Sequence, residues 1–454
     1  MSTNRRFDWS YLLLYPYMAA AFIPWVKYHV QFRFVLPLMF GWALFAFFSR
    51  RQLLFPRKGT LQLLATLFFL TMSHTLSLLY LPFGYSDGMD YVAFVDLVMV
   101  VFPLIVLHLS ICNGRLRELR SLVLFCFICL AISSGMNFFG ESVVEGGSRT
   151  LTGAMAETTD LKEMSAALEA GIGGFGYIYG LALLVFPVVF CIKFMTRPMK
   201  LFFIFFAMLV LATVYQVGYS ICIIGVAVAG LMCLIALVRG SLGAMKLIGV
   251  IVVSALVSVV ANPRVMSFLL NPLQRLGDRV GKEEYQLRLN SVADAVAGND
   301  KTYAVIRSEL YWTSWRTFLD HPLFGMGHYD YERSVRESDN IGGHSLMFDM
   351  MGHYGLFGLS IFLLFFFFYA RYLRVLSFTT LGVQWWPAYY IFLFSASSIA
   401  FVNPLGGYMV YSDFLLIIPA LTLFFRQQVV PGSSLISARR LIADDRLRSG
   451  IAQI

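Results

Sequence analysis

The chain has 454 residues, of which 58% are hydrophobic and 13% charged, with a formal net charge of +9. A soluble domain carries about 25% charged residues, so the composition excludes a soluble protein with a single anchor and points to an all-α polytopic integral membrane protein. The positive balance follows a loop-by-loop bias rather than a basic face, and no nucleic-acid partner is expected.

A bilayer span needs about 20 mostly apolar residues. Twelve stretches qualify, near 10–26, 33–49, 60–81, 91–112, 121–139, 174–194, 199–217, 219–238, 244–261, 344–370, 385–403 and 408–425. Arg5 and Arg6 precede "YLLLYPYMAAAFIPW", which resembles a signal peptide but shows no convincing cleavage site, so it reads as a retained first helix. The six cysteines (Cys112, Cys126, Cys129, Cys191, Cys222 and Cys233) lie in or at the ends of apolar segments, and neither a disulfide nor a zinc site is expected. Lys and Arg mark every second loop: Arg50, Arg51, Arg57 and Lys58, then Arg115, Arg117 and Arg120, then Lys193, Arg197 and Lys200, then Arg239 and Lys246, then Arg371 and Arg374. Cytoplasmic loops carry this excess, so both termini are expected in the cytoplasm. The expected layout is spans one to nine in 1–261, a large external loop in 262–343, spans ten to twelve in 344–425 and a cytoplasmic tail in 426–454.

The external loop is too long for a simple connector. It holds ten Lys and Arg against eleven Asp and Glu, and eight of the ten are arginines. Some of these fit surface ion pairs, as Arg279 with Glu283 and Arg333 with Glu337 at i,i+4 spacing. Arginine also presents a planar fork suited to phosphate, so a pocket for a lipid-linked phosphate or pyrophosphate is the sharper reading. Arg307 is the foremost candidate. With Glu309 it opens a predicted helix whose apolar stripe is Leu310, Trp312, Trp315, Phe318 and Leu319. Pro322 ends that helix and "GMG" turns the chain.

His321 and His328 fall in the following loop. His344 differs, because it opens the tenth span at the water–lipid boundary. An imidazole with an ordinary pKa of about 6.5 serves there as acid or base. Asp349 and His353 share a face at i,i+4, and Gly352, Gly355 and Gly358 form a small-residue ridge for close helix packing. Ionisable residues within spans are few (His74, Asp96, His108, Asp349, His353 and Asp413), and they form no obvious relay.

The run from Arg307 through "HPLFGMG", "GGHS" and "GHYGLFGLS" resembles the O-antigen ligase and O-antigen polymerase superfamily. Members show an arginine before an aromatic-rich helix, a "PlfGxG" turn, a His–Asn or similar pair heading the next span, and then "GllG". Here Arg307, Pro322 to Gly327, His344–Ser345 and Gly355 to Gly358 match in order and spacing. Ser345 stands where asparagine is usual. The stretch "YQVGYSICIIG" lacks the arginine of an "SRG" element found in many members, leaving Arg264 or Arg279 to replace it. "SRTLTGAM", with Arg149, is similar to another family element.

The resemblance implies about twelve spans with the large loop periplasmic, in a bacterial inner membrane. It implies glycan transfer from undecaprenyl pyrophosphate to an acceptor hydroxyl, without a metal or cofactor. His344 would activate or orient the acceptor and Arg307 would hold the pyrophosphate. Arg264, Arg279, Arg316, His328, Glu309 and Arg149 are the further candidates for binding pyrophosphate or glycan. A polymerase would use the next lipid-linked repeat unit as acceptor, with membrane lipid, a chain-length regulator and a flippase as partners. A ligase would use the lipid A core. A flippase or other transporter without catalysis is the reading of another class. It would be expected to carry charge within the bundle, whereas here charge concentrates in one external loop.

Overall fold

A computed structural model describes residues 8–30, 32–48, 102–110, 115–144, 147–151, 161–239, 303–326, 341–342, 345–376, 391, 410 and 412–425. Among these the chain is helical throughout, and the sole pairing of extended backbone is an isolated bridge between Met195 and Phe425. The all-α expectation therefore holds. The expected spans at 60–81 and 244–261, all but one residue of that at 385–403, the loop from 262 to 302 and the tail beyond 425 lie outside the described residues.

The first expected span is not one continuous helix. A 3-10 turn (Trp9–Leu13) leads into α1 (Leu14–Phe22), Ile23 is extended, and α2 (Pro24–His29) begins afresh. Proline disfavours the helical conformation of the residue before it and suits a helix's first position, so Pro24 both stops α1 and starts α2. Next come α3 (Phe32–Phe48) and α4 (Leu116–Val143). Then follow α5 (Leu161–Glu169), α6 (Phe175–Ile192), α7 (Arg197–Val217) and α8 (Ser220–Arg239). Gly218, with φ of 72°, closes α7 in the left-handed conformation that glycine adopts without penalty.

Two described helices, α4 and α7, are long and apolar enough to cross a membrane. What they do with their side chains separates lipid from a soluble core. In α7, Phe203, Phe206, Ala207 and Val210 are buried, while Leu201, Ile204, Phe205 and Met208 are exposed, Leu201 by 72%. The exposed set has i, i+3, i+4, i+7 spacing, so a whole apolar face looks outward. A helix apolar on every side belongs in a large core or a bilayer, and this face is not in a core.

Inside, α6 lies between α7 and α8, and α4 packs on both α1 and α7. Phe203 of α7 meets Phe127 of α4 edge-on at 4.7 Å and Phe424 at 5.6 Å. The Ser134 and Thr213 hydroxyls join α4 to α7 at 2.8 Å, a small polar link of the kind that ties helices together in lipid. Asn137 accepts the Gly173 N–H at 2.8 Å and so holds the entry to α6. The described cysteines are free and buried.

Charge gathers at one end of the bundle. Arg115 pairs with Asp8 at 3.3 Å and Glu118 at 3.1 Å, and Arg120 lies over the Phe424 ring at 5.5 Å. Phe425, beside that ring, bridges to Met195. If α7 faces as described, Phe203→Ala should cost about 3 kcal/mol or more through the cavity it leaves. Phe205→Ala, on the outward face, should change stability by about 0.5 kcal/mol or less. Thermal unfolding of the two purified variants checks this, and equal losses would mean the wrong face has been assigned to the core.

Candidate functional site

The polar stretch around the tenth expected span forms from two helices, α9 (Tyr303–Asp320) and α10 (Leu346–Leu376), with the turn that joins them to one another in space. The pair meet through Tyr311, Trp315 and Phe348: Tyr311 stacks on Phe348 at 5.9 Å, and Trp315 meets it edge-on at 6.1 Å. Only part of the expected apolar stripe is buried. Phe318 is, but Trp312 and Leu319 are more than half exposed, while the buried positions include Ser314 and Thr317. Ser314 lies at a close approach to α10, where a Cβ on Gly352 would come within 3.3 Å of its carbonyl.

α10 is not the continuous helix that its apolar length implies. At Gly355 the backbone reaches φ 61° and ψ −157°, a conformation that side-chain-bearing residues essentially never adopt. The break releases helix hydrogen bonds, and the turn after α9 takes them up. Leu356 N–H donates to Pro322 O at 2.9 Å and Phe357 N–H to Leu323 O at 3.1 Å. The Gly352 carbonyl accepts from Met326 N–H at 3.0 Å. A Cβ on Gly355 would lie 2.6 Å from the Leu323 carbonyl. The glycine ridge therefore seats a turn at its centre; helix packing is left to Gly352, where a Cβ would lie 3.3 Å from the Ser314 carbonyl.

A second set of bonds starts α10. Ser314 Oγ donates to Asp349 Oδ1 at 2.6 Å and accepts the Gly342 N–H at 2.9 Å. Asp349 Oδ2 accepts the Ser345 N–H at 3.1 Å, and Ser345 Oγ accepts the Phe348 N–H at 3.4 Å. Ser345 is thus the N-cap of α10 and Asp349 a carboxylate in its first turn, where helix ends favour both. Gly342 comes so close to α9 that a Cβ there would lie 2.6 Å from the Leu310 carbonyl carbon. Asp349 and Ser314 therefore grip the backbone at residues 342 and 345, on either side of His344.

The expected site residues fall as follows. His344, His328, Arg264 and Arg279 lie outside the described residues. Arg307 is on α9, seven residues before Ser314, and at 3.6 residues per turn the two positions share a face. Glu309 is exposed, and its carbonyl accepts the Thr313 hydroxyl. Arg316 is exposed, half a turn round from Arg307, with its guanidinium 5.5 Å from the Trp312 ring. Arg149 sits in the short helical turn Gly147–Thr150 beyond the end of α4. Sequence reasoning missed Ser314, a lone serine among aromatics whose partners lie 28 and 35 residues away. No described group of three or more His, Cys, Asp or Glu is placed to hold a metal ion.

Removing one partner of a buried hydrogen bond to a charged group costs about 1.5–3 kcal/mol. Asp349→Ala should therefore lower thermal stability by that order and loosen the start of α10. Amide hydrogen exchange at residues 345–349 reads this directly, and unchanged protection would remove Asp349 from its positioning role.

No curated protein matches the chain. Residues 202–363 match a family model described as O-antigen ligase. That span contains α8, all of α9 and the first half of α10, including Arg307, the turn at 322–326 and the glycines that receive it. Over this segment the chain is similar to that family, a match that supports the O-antigen polymerase and ligase superfamily.

Proposed function

We propose that the protein is a polymerase of surface polysaccharide, O-antigen or exopolysaccharide. In this reading it moves the growing glycan from undecaprenyl pyrophosphate to a new lipid-linked repeat unit at the periplasmic face of a bacterial inner membrane. The supporting observation is the double grip of Ser314 and Asp349 on the backbone flanking His344, beneath the helix that carries Arg307 on the same face. A reacting side chain needs a backbone that does not wander, and a wet surface loop offers none by itself.

The proposed chemistry is a single displacement. The acceptor hydroxyl oxygen bonds to the anomeric carbon of the donor glycan, and the bond from that carbon to the phosphate oxygen breaks. Undecaprenyl pyrophosphate leaves with the electron pair. His344 takes the hydroxyl proton, which contributes about 10²–10⁴-fold for a well-placed base. Arg307 meets the charge that develops on the departing pyrophosphate, assisted by the remaining loop arginines. No metal is invoked, because arginine supplies the charge. Twelve spans and two cytoplasmic termini complete the reading. It is supported by the gathering of Arg115, Arg120 and the Met195–Phe425 bridge at one end of the bundle, where loop charge placed the cytoplasm. A chain-length regulator and a flippase are the proposed partners. The description of the matching family favours a second reading, ligation of the glycan to lipid A core.

Two outcomes are expected. In cells lacking the chain, single repeat units on an intact acceptor indicate the polymerase, and long chains stranded on undecaprenyl pyrophosphate indicate the ligase; unchanged glycans in both pools reject both. On re-expression, His344→Ala and Arg307→Ala should each lower product by about 10²-fold or more with normal membrane insertion. Arg307→Lys should restore part of the loss, since charge is kept and the fork is not. Full-length glycan from either alanine variant would remove that residue from the mechanism.

A further inference from the structure

The bundle also buries a carboxylate that the proposed transfer does not use. Asp413 is fully buried, and neither of its oxygens has a hydrogen-bond partner among the described residues. It opens a π-helical turn, Asp413–Ile417, in which Ile418 N–H donates to the Asp413 carbonyl. Three residues of α-helix containing Pro419 follow, then a 3-10 turn, Leu421–Phe424. The segment is a continuous helix with a π-bulge at its start, since Ser412, Ile417, Ile418, Ala420 and Leu421 all keep right-handed helical φ and ψ. Such bulges concentrate at functional positions. Asp413 lies twelve residues before Phe425, which bridges to Met195 at the charged end. At about 1.5 Å per residue that is roughly 18 Å, near the middle of a core about 30 Å thick.

Around it lie hydroxyls and one thiol, with Tyr177 and Cys126 both within electrostatic reach of Asp413. The segment packs on α4 and α6. The Ser412, Ser133 and Tyr177 hydroxyls are buried too, and none makes a well-formed hydrogen bond among the described residues. Tyr177 faces Ser133 and lies within electrostatic reach of Asp413. A buried carboxylate with no partner is costly in either protonation state, because the neutral acid also leaves its O–H unpaired. One negative charge beside neutral hydroxyls balances one positive charge, and hard oxygen ligands select hard cations.

We propose that Asp413, with the hydroxyls of Ser412, Ser133 and Tyr177, forms a binding site for a small monovalent cation, for which sodium is the probe. The ion displaces the carboxyl proton and leaves a neutral pair inside the bundle. The site is independent of the glycan-transfer reading.

The test is binding of radiolabelled sodium to the purified full-length chain in detergent, with choline as the control cation. Saturable binding of about one ion per chain is expected, weakened about tenfold or more in Asp413→Asn and about threefold in Ser412→Ala. Saturating sodium should also raise the thermal midpoint of the wild type by about 3 °C or more, a rise absent in Asp413→Asn. Should Asp413→Asn fail to fold, the wild-type titration and Ser412→Ala decide. No saturable sodium binding by the wild type, or equal binding by both variants, overturns the proposal. So does a midpoint that follows pH and ignores sodium, which would make Asp413 a buried neutral acid.

Discussion

A broken helix inside a membrane protein must find partners for the backbone groups it frees. At Gly355 those partners are the carbonyls of Pro322 and Leu323 and the N–H of Met326. Where water is scarce, an unpaired backbone group costs several kcal/mol, so the turn and the break exist only together. This mutual satisfaction fixes the end of α9 against the middle of α10. Once the two helices are set there, Ser314 reaches Asp349, and Gly342 is held against α9. The bonds that start α10 thus depend on a bond exchange further along the same helix.

The remaining bundle uses polar groups sparingly. The outward face of α7 is apolar, so lipid imposes no demand on it beyond hydrophobicity. Between helices, single hydroxyl or amide groups suffice, as at Ser134 with Thr213 and Asn137 with Gly173. Each reaches a defined partner. Charge sits at the ends of α4, where Arg115 holds Asp8 and Glu118 at one and Glu141 accepts the Ser148 N–H at the other. Against that background Asp413 stands apart, because a carboxylate is the most costly side chain to bury without partners.

The aromatic residues of α9 divide the same way. Trp315 and Phe318 face α10 or lie buried, whereas Trp312 is exposed and carries the guanidinium of Arg316. An apolar stripe at helical spacing shows that a helix has a buried side. Which edge of the stripe is buried depends on the partner's shape, and here the partner approaches over Ser314. Sequence periodicity weights large side chains, so a serine at the point of closest contact is invisible to it.

The sequence by itself determined the all-α class of the described residues, the four long apolar helices between residues 116 and 239 to within a few residues, and the resemblance to the O-antigen ligase family, but not the short helix α5 at Leu161–Glu169. Apolar length, capping residues and the Arg307-to-Gly358 motifs are local properties, and local rules govern them. The break at Ile23 was also within reach of local rules, since Pro24 announces it. Only the tertiary structure decided that Gly355 interrupts α10, that the "PLFG" turn completes the interruption, and that Ser314 and Asp349 grip the two flanks of His344. Apart from the local bond of Ser345 to Asp349, these rest on hydrogen bonds between residues 26 to 35 positions apart. A donor and an acceptor that far apart leave no periodic trace in the chain, and they become partners only when packing brings the two helices together.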